Sequence, residues 1–442
     1  MNRETFKSVL LVMLVFLSIG MTWNILFYRS DFEKYKGTTI AKTVSIADSR
    51  MPSSVIRPLL FLQHSVKAGT LGETQTGTVS KAYNLFQQTF FSGLVPLTYH
   101  AQLPVRKDDL SYEIIFPAPL MHDTLERFFH FSNKGAALQA DVLIDRIEIY
   151  QTDRGGLIAV FSSSNGQNQF FATAERLKLS TLKDVFAKSV SALYEQVHLK
   201  DRLVYAPTGP TALKSVIFYY QMKKVDAFIP TLFNNPDNNV FHSNKKLTYT
   251  DGTSQLEQNG DVLQYVNINP GISSSQQLTD PIYHSYEYLN NFKEWTGDFS
   301  YAGLQLSDDS KSETVLFRMR IGNYLVFNTD DYPNPYLTQI ELTWRSGQLS
   351  SFNRTLLKLN SIDETQSDTL PSGADVLRRL GSESVPVNKI QDLMIGYQLR
   401  TPDSQEDNSS LEATPDWFYE ISDRWYAASK AVGQQQKEAG SP

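Results

Sequence analysis

Twenty consecutive residues near the N-terminus, Ser8 to Phe27 (SVLLVMLVFLSIGMTWNILF), carry no formal charge. At about 1.5 Å per helical residue such a run reaches about 30 Å, the thickness of a bilayer's hydrocarbon core. Trp23 and Tyr28 sit toward its far end, where amphipathic rings prefer the headgroup level. A cleaved signal peptide is the rival reading, with Ser18-Ile19-Gly20 as a small-x-small site. The apolar run continues past that site to Phe27, a length that suits an uncleaved anchor helix over residues 8–28. Arg3 and Lys7 face Arg29, Lys34 and Lys36 across it, so the Lys/Arg count leaves the orientation open. The short tail of residues 1–7 favours a cytoplasmic N-terminus. The expectation is a single-pass cell-membrane protein with the bulk of its chain extracellular.

Along that helix Leu14, Ser18, Thr22 and Ile25 fall on one stripe, with Gly20 and Asn24 on roughly the opposite face. Small and hydroxyl side chains let helices approach closely in lipid, so the stripe is a candidate partner-binding face. Thr22 and Asn24 also fit a plainer account, because polar groups near the headgroups are tolerated.

The remainder must hold together without covalent staples. None of the 442 residues is cysteine, which excludes disulfides, Cys-containing zinc sites, iron–sulfur clusters and thiol nucleophiles. Charged residues make up 20% and the net charge is −6, which argues against a nucleic-acid surface. The 26 Phe, 22 Tyr and 5 Trp favour strand-rich domains. The expected fold class is α+β: one transmembrane helix, then an extracellular region of three mixed strand–helix domains with antiparallel sheets.

Residues 29–39 read as a stalk and 433–442 as a disordered tail. Pro207, Gly209 and Pro210 punctuate the chain, and a new run of strands begins near Phe299. These mark an N-terminal ectodomain (40–207), a middle one (208–297) and a C-terminal one (298–432). In the first, Ser54–Ser65 reads as a buried strand or strand pair, with helices over Val79–Phe91 and Thr181–Glu195. The clearest sheet signal is Arg146–Ala172, three short strands turning at Gly155-Gly156 and Asn165-Gly166. Asp251-Gly252 and Asn259-Gly260 mark two more hairpins, and Leu278–Phe292 a helix whose start Pro281 delays. Further on come a helix at Gly373–Leu380, a strand at Ile390–Arg400, a loop at 401–412 and a hairpin at Trp417–Ser429.

Few motifs point to chemistry. Ser180-Thr181-Leu182-Lys183 matches S-x-x-K, in which the Lys activates the Ser, and an envelope hydrolase or transferase using Ser180 and Lys183 is the enzymatic alternative. No K-T-G string follows, so a helix N-cap by Ser180 or Thr181 is the favoured reading. His122, Glu126 and His130 could share a helical face, but their spacing suits no zinc motif. The doublets Asp108-Asp109, Asp308-Asp309 and Asp330-Asp331 are ordinary turn residues before they are calcium ligands. The expectation is no catalytic residue, no cofactor and no metal. Trp344, Trp417, Tyr419, Trp425 and Tyr426 crowd the C-terminal unit, most as core and some as interface candidates. A wall-polymer binding module is the other non-enzymatic alternative.

The layout resembles the YycH (WalH) family of low-GC Gram-positive bacteria. The resembling stretches are the anchor, the Val55–Phe61 strand before the Val79–Phe91 helix, Tyr324-Leu325-Val326-Phe327-Asn328, and the closing Pro415-Asp416-Trp417-Phe418-Tyr419. The likeness covers nearly the whole chain and rests on architecture. It implies three α+β ectodomain modules and a non-enzymatic accessory regulator of the WalK (YycG) sensor histidine kinase, which controls cell-wall metabolism. The implied partners are that kinase and a YycI-like membrane protein, met through membrane helices and ectodomains, with membrane lipid around the anchor. Leu14, Ser18, Thr22 and Ile25 would then be the helix contact face.

Overall fold

The computed structural model describes Met13, Ser18 and residues 48–97, 102–132, 142–233, 239–243, 246–270, 278–292, 294–307, 312–327, 335–400 and 410–430. Among them, two large, mostly antiparallel sheets with helices packed against them make an α+β fold.

The first sheet starts with β1 (Leu60–Ser65), β2 (Gly69–Glu73), β3 (Phe90–Pro96), β4 (Arg106–Met121) and β5 (His130–Phe131). It continues with β6 (Leu143–Thr152), β7 (Leu157–Ser162), β8 (Gln169–Glu175), β9 (Ala192–His198) and β10 (Leu203–Pro207). The spatial order is β10-β9-β2-β1-β4-β6-β7-β8-β3-β5. The β6–β8 meander follows the expected hairpins, and Gly155 and Gly166 take φ of 88° and 72° at its turns, where a Cβ would strain the backbone. The apolar run of β7 is buried along its length, because Leu103 and Tyr150 cover the face turned away from the main core.

Three local expectations change. The helix expected over Val79–Phe91 spans Thr76–Gln88, and Phe90 and Phe91 open β3. Pro52–Val55 forms a single helical turn instead of strand, with proline at its start, and extended pairing begins at Leu60. The helix expected over Thr181–Glu195 spans only Leu179–Phe186, and residues 192–198 pair between β2 and β10. Tyr194 lies over Gly72, where a Cβ would come within 2.4 Å of the ring. That cross-strand fit, together with two ladders of hydrogen bonds, outweighs local helix propensity.

The second sheet contains β11 (Thr211–Met222), β12 (Asn239–Ser243), β13 (Lys246–Thr250), β14 (Ser254–Asn259), β15 (Val262–Asn267) and β16 (Phe299–Leu306). It adds β17 (Ser312–Ile321), β18 (Tyr324–Phe327), β19 (Gln339–Arg345), β20 (Gln348–Thr355) and β21 (Leu357–Leu370). The last strands are β22 (Asp392–Arg400), β23 (Ser410–Ile421) and β24 (Arg424–Ala427). Their order is β12-β13-β14-β15-β20-β19-β17-β18-β22-β23-β11-β21, with β16 beside β17 and β24 beside β23. The boundary expected at 297 therefore falls inside one sheet. β15 pairs with β20, and β11 lies between β21 and β23. Two sheets stand where three modules were expected, because the middle hairpins extend a neighbouring sheet instead of closing a core of their own.

The expected hairpin turns at Asp251-Gly252 and Asn259-Gly260 join β13 to β14 and β14 to β15. A helix over Pro281–Asn291 begins at its proline, capped by the Asp280 carboxylate, which accepts from Tyr283 N at 3.0 Å. Pro415 lies inside β23 opposite Tyr397, so that strand starts at Ser410; residues 401–409 of the expected loop lie outside the described residues.

One hydrophobic cluster runs through both sheets, from Phe61, Phe86 and Phe161 to Phe317, Trp344 and Phe352. A second gathers Val204 and Ala206 of β10 with Val376, Leu393 and Trp417 of the other sheet's side. Among the described residues no helix is long and apolar enough to cross a membrane. The expected span 8–28 lies outside them except for Met13 and Ser18; the stalk and tail lie outside entirely.

Candidate functional site

β10 is the edge of the first sheet, and only residues 208–210 separate it from β11 of the second. The two sheets meet there. Lys200 N donates to Ile390 O at 2.9 Å, and a Cβ on Gly373 would come within 2.4 Å of Ala206 Cβ. The helix Gly373–Ser382, capped by Ser372, thus approaches β10 as closely as backbone allows.

Arg202, in the tight turn leading to β10, reaches both sheets. Its Nη1 donates to Asp392 of β22 at 2.6 Å, its Nη2 to Asp145 of β6 at 3.3 Å, and its Nε to Ser164 Oγ at 2.9 Å. The two carboxylate side chains are only 1% and 5% exposed. Asp145 also accepts from Ser164 N and Oγ, at 2.8 and 2.5 Å, and Asp392 accepts from Leu393 N at 2.8 Å. Asp392, then burial in the opposite sense, then Asp145 act on Arg202, and the net effect raises its pKa. Glu420 stands opposite Asp392 on β23, and burial, then repulsion from Asp392, pushes its carboxyl up to about 7.

Behind this clamp Arg146 donates from Nη2 to Leu203 O and lies 4.0 Å from Glu113. Glu113 meets His64 Nε2 at 2.8 Å, and His64 Nδ1 meets Thr70 Oγ1 at 3.0 Å. The order hydroxyl–imidazole–carboxylate has the outline of a catalytic triad. Register alone produces it, since His64 faces Thr70 directly across β1–β2 and Glu113 sits on the adjoining β4. The charges of the join pair with one another, with Arg146 Nε buried 3.8 Å from Asp145 and without a hydrogen bond, an arrangement suited to holding two sheets together. Beside it lies a cleft of about 120 Å³, lined from both sheets.

Of the residues singled out in the sequence, Trp417 lines this cleft, and the candidate catalytic, metal and helix-face residues lie elsewhere. Ser18 is helical and exposed; Leu14, Thr22 and Ile25 are outside the described residues. Ser180 and Lys183 are exposed on the Leu179–Phe186 helix. Neither Ser180 nor Thr181 is its N-cap: Lys178 holds that place, without a side-chain hydrogen bond. His122 bonds to Asp123 and Glu126, at 3.1 and 2.9 Å, while His130 is exposed at the start of β5. Asp108 and Asp109 lie within β4, in its irregular stretch between Arg106 and Ser111, where Asp108 accepts from Leu110 N at 3.1 Å; the other two Asp doublets are outside the described residues. Among the described residues no group of three His, Asp or Glu side chains is placed to hold a metal ion. Trp344, Trp417 and Tyr419 are core, with Trp425 and Tyr426 half-buried. Arg202, Asp145 and Asp392 carried no sequence signal, being 57 and 190 positions apart.

Residues 4–190 match the family described as YycH protein, N-terminal domain, and residues 201–433 that described as YycH protein, C-terminal domain. The second match begins at Asp201, next to Arg202, with residues 191–200 between it and the first. The chain is 23% identical over 452 residues to the two-component system WalR/WalK regulatory protein YycH of Bacillus subtilis (strain 168), covering 95% of each. The fold is similar to the crystal structure of YycH from Bacillus subtilis, with a TM-score of 0.69 and 16% identity over 87% of this chain and 98% of that one. Two family matches that together span both sheets leave one conclusion: the chain belongs to the YycH family.

Proposed function

We propose that this chain is a non-enzymatic regulatory protein of a WalR/WalK-type two-component system, anchored in the cell membrane by residues 8–28 with its two sheets outside the cell. The observation that carries the reading is the paired match to both YycH domains, supported by the full-length relative of that name. The charges at the sheet join are paired with opposite charges and so suit a scaffold better than a reaction site.

The uncharged run Ser8–Phe27 supports the anchor. Contact with the sensor kinase and with a YycI-like membrane protein is assigned to the stripe Leu14, Ser18, Thr22 and Ile25 together with the sheets; the exposure of Ser18 on its helix fits such a face. A partner shifts a kinase between signalling states only by binding them differently, so contacts of a few kcal/mol suffice. The test replaces residues 8–27 with an unrelated apolar span, or deletes residues 29–442, and measures WalR-dependent transcription. Both changes should alter it, and unaltered transcription in both strains would rule the proposal out.

A further inference from the structure

We propose that the cleft at the sheet join binds an uncharged small molecule with an apolar body and a hydrogen-bond acceptor. Leu60, Phe116 and Tyr194 line it from one side, and Tyr324, Ile395 and Trp417 from the other. Its place between two structural units is that of many small-molecule sites.

The charges on its wall decide against an ion. Arg202 gives its donors to Asp392, Asp145 and Ser164, and Arg146 donates to a backbone carbonyl with Glu113 beside it. A charged ligand would lose its water here without meeting an uncompensated counter-charge.

The tyrosines decide where the polar end goes. Tyr324 OH is paired with Thr74 Oγ1 at 2.8 Å, and Tyr205 OH accepts from Gln196 at 2.9 Å. Tyr194 OH has no hydrogen-bond partner among the described residues, although its ring is held in place over Gly72. Burial, with Tyr324 and Glu73 nearby, raises the pKa of that phenol, so it keeps its proton and can donate it to an acceptor. A molecule seated there touches both sheets at once. Its binding is a property of the cleft and is independent of the kinase response.

The test uses the full chain in lipid nanodiscs, with empty nanodiscs as the blank, and follows 19F line broadening of 4-fluorobenzamide and of 4-fluorobenzoate. The neutral amide should broaden saturably and the anion should not. Tyr194→Phe, which removes only the hydroxyl, should weaken the amide roughly threefold to tenfold. Ile395→Trp, which fills the cleft, should abolish its binding; if that variant does not fold, Tyr194→Phe decides. Equal binding of the anion, an amide signal indifferent to Tyr194→Phe, or no broadening beyond the blank would overturn the proposal.

Discussion

Arg202 keeps two nearly inaccessible carboxylates, Asp145 and Asp392, at the same place. Deleting one partner of a buried pair costs about 3–5 kcal/mol, because the other charge stays buried. The Arg202 side chain retains 24% exposure, so Arg202→Ala should lower the unfolding free energy by about 2–4 kcal/mol in urea titrations. A loss within a few tenths of wild type would mean that the clamp contributes nothing. Glu420 gives a pH signature. Its pKa is raised in the folded state to about 7, so between its ordinary range and 7 the native chain binds the proton and the unfolded chain does not. Its contribution to stability therefore falls as pH rises from about 4.5 to 7 and is flat above. Glu294, buried and likewise pushed up to about 7, adds a fall of its own, so Glu420→Gln should show a shallower fall, by on the order of 2 kcal/mol across that window, measured as urea midpoints at pH 5 and 7.5. Parallel curves for the two proteins would show that the carboxyl titrates normally.

Elements here are tied by single residues doing local and distant work together. Asp280 caps the Pro281–Asn291 helix and also accepts from Thr124 Oγ1 at 2.7 Å and Arg127 Nε at 2.8 Å, both on the His122–Phe128 helix of the first sheet's side. Asp280→Ala should cost about 2–4 kcal/mol, of which the cap accounts for about 1. Asp280→Asn can still accept at the cap and should recover part of the loss; equal destabilisation by both would leave the cap without a role. The start of the helix was legible, because Pro281 marks it. The second function of Asp280 was not, since Thr124 is 156 positions away. β9 shows the same limit: its residues pass for the end of a helix until Gly72 and Tyr194 meet.

At the scale of the molecule, the two sheets share one continuous apolar cluster, joined further by Tyr301 OH to Pro119 O at 2.5 Å and Asn323 Nδ2 to Leu59 O at 2.9 Å. Calorimetry should therefore show a single cooperative transition for the two sheets, and two resolved transitions would mean that they fold separately. The amino-acid order by itself determined the α+β class, the β6–β8 meander, the turns at 155–156, 165–166, 251–252 and 259–260, and the proline-started helix. Each of these depends on residues within about ten positions of one another, where periodicity and turn chemistry act. Only the tertiary structure decided that the middle hairpins extend the larger sheet, that residues 192–198 are strand, and that Arg202 closes the join. Those outcomes depend on which strand edge finds which partner, and no local pattern encodes a contact between Arg202 and a carboxylate 190 positions away.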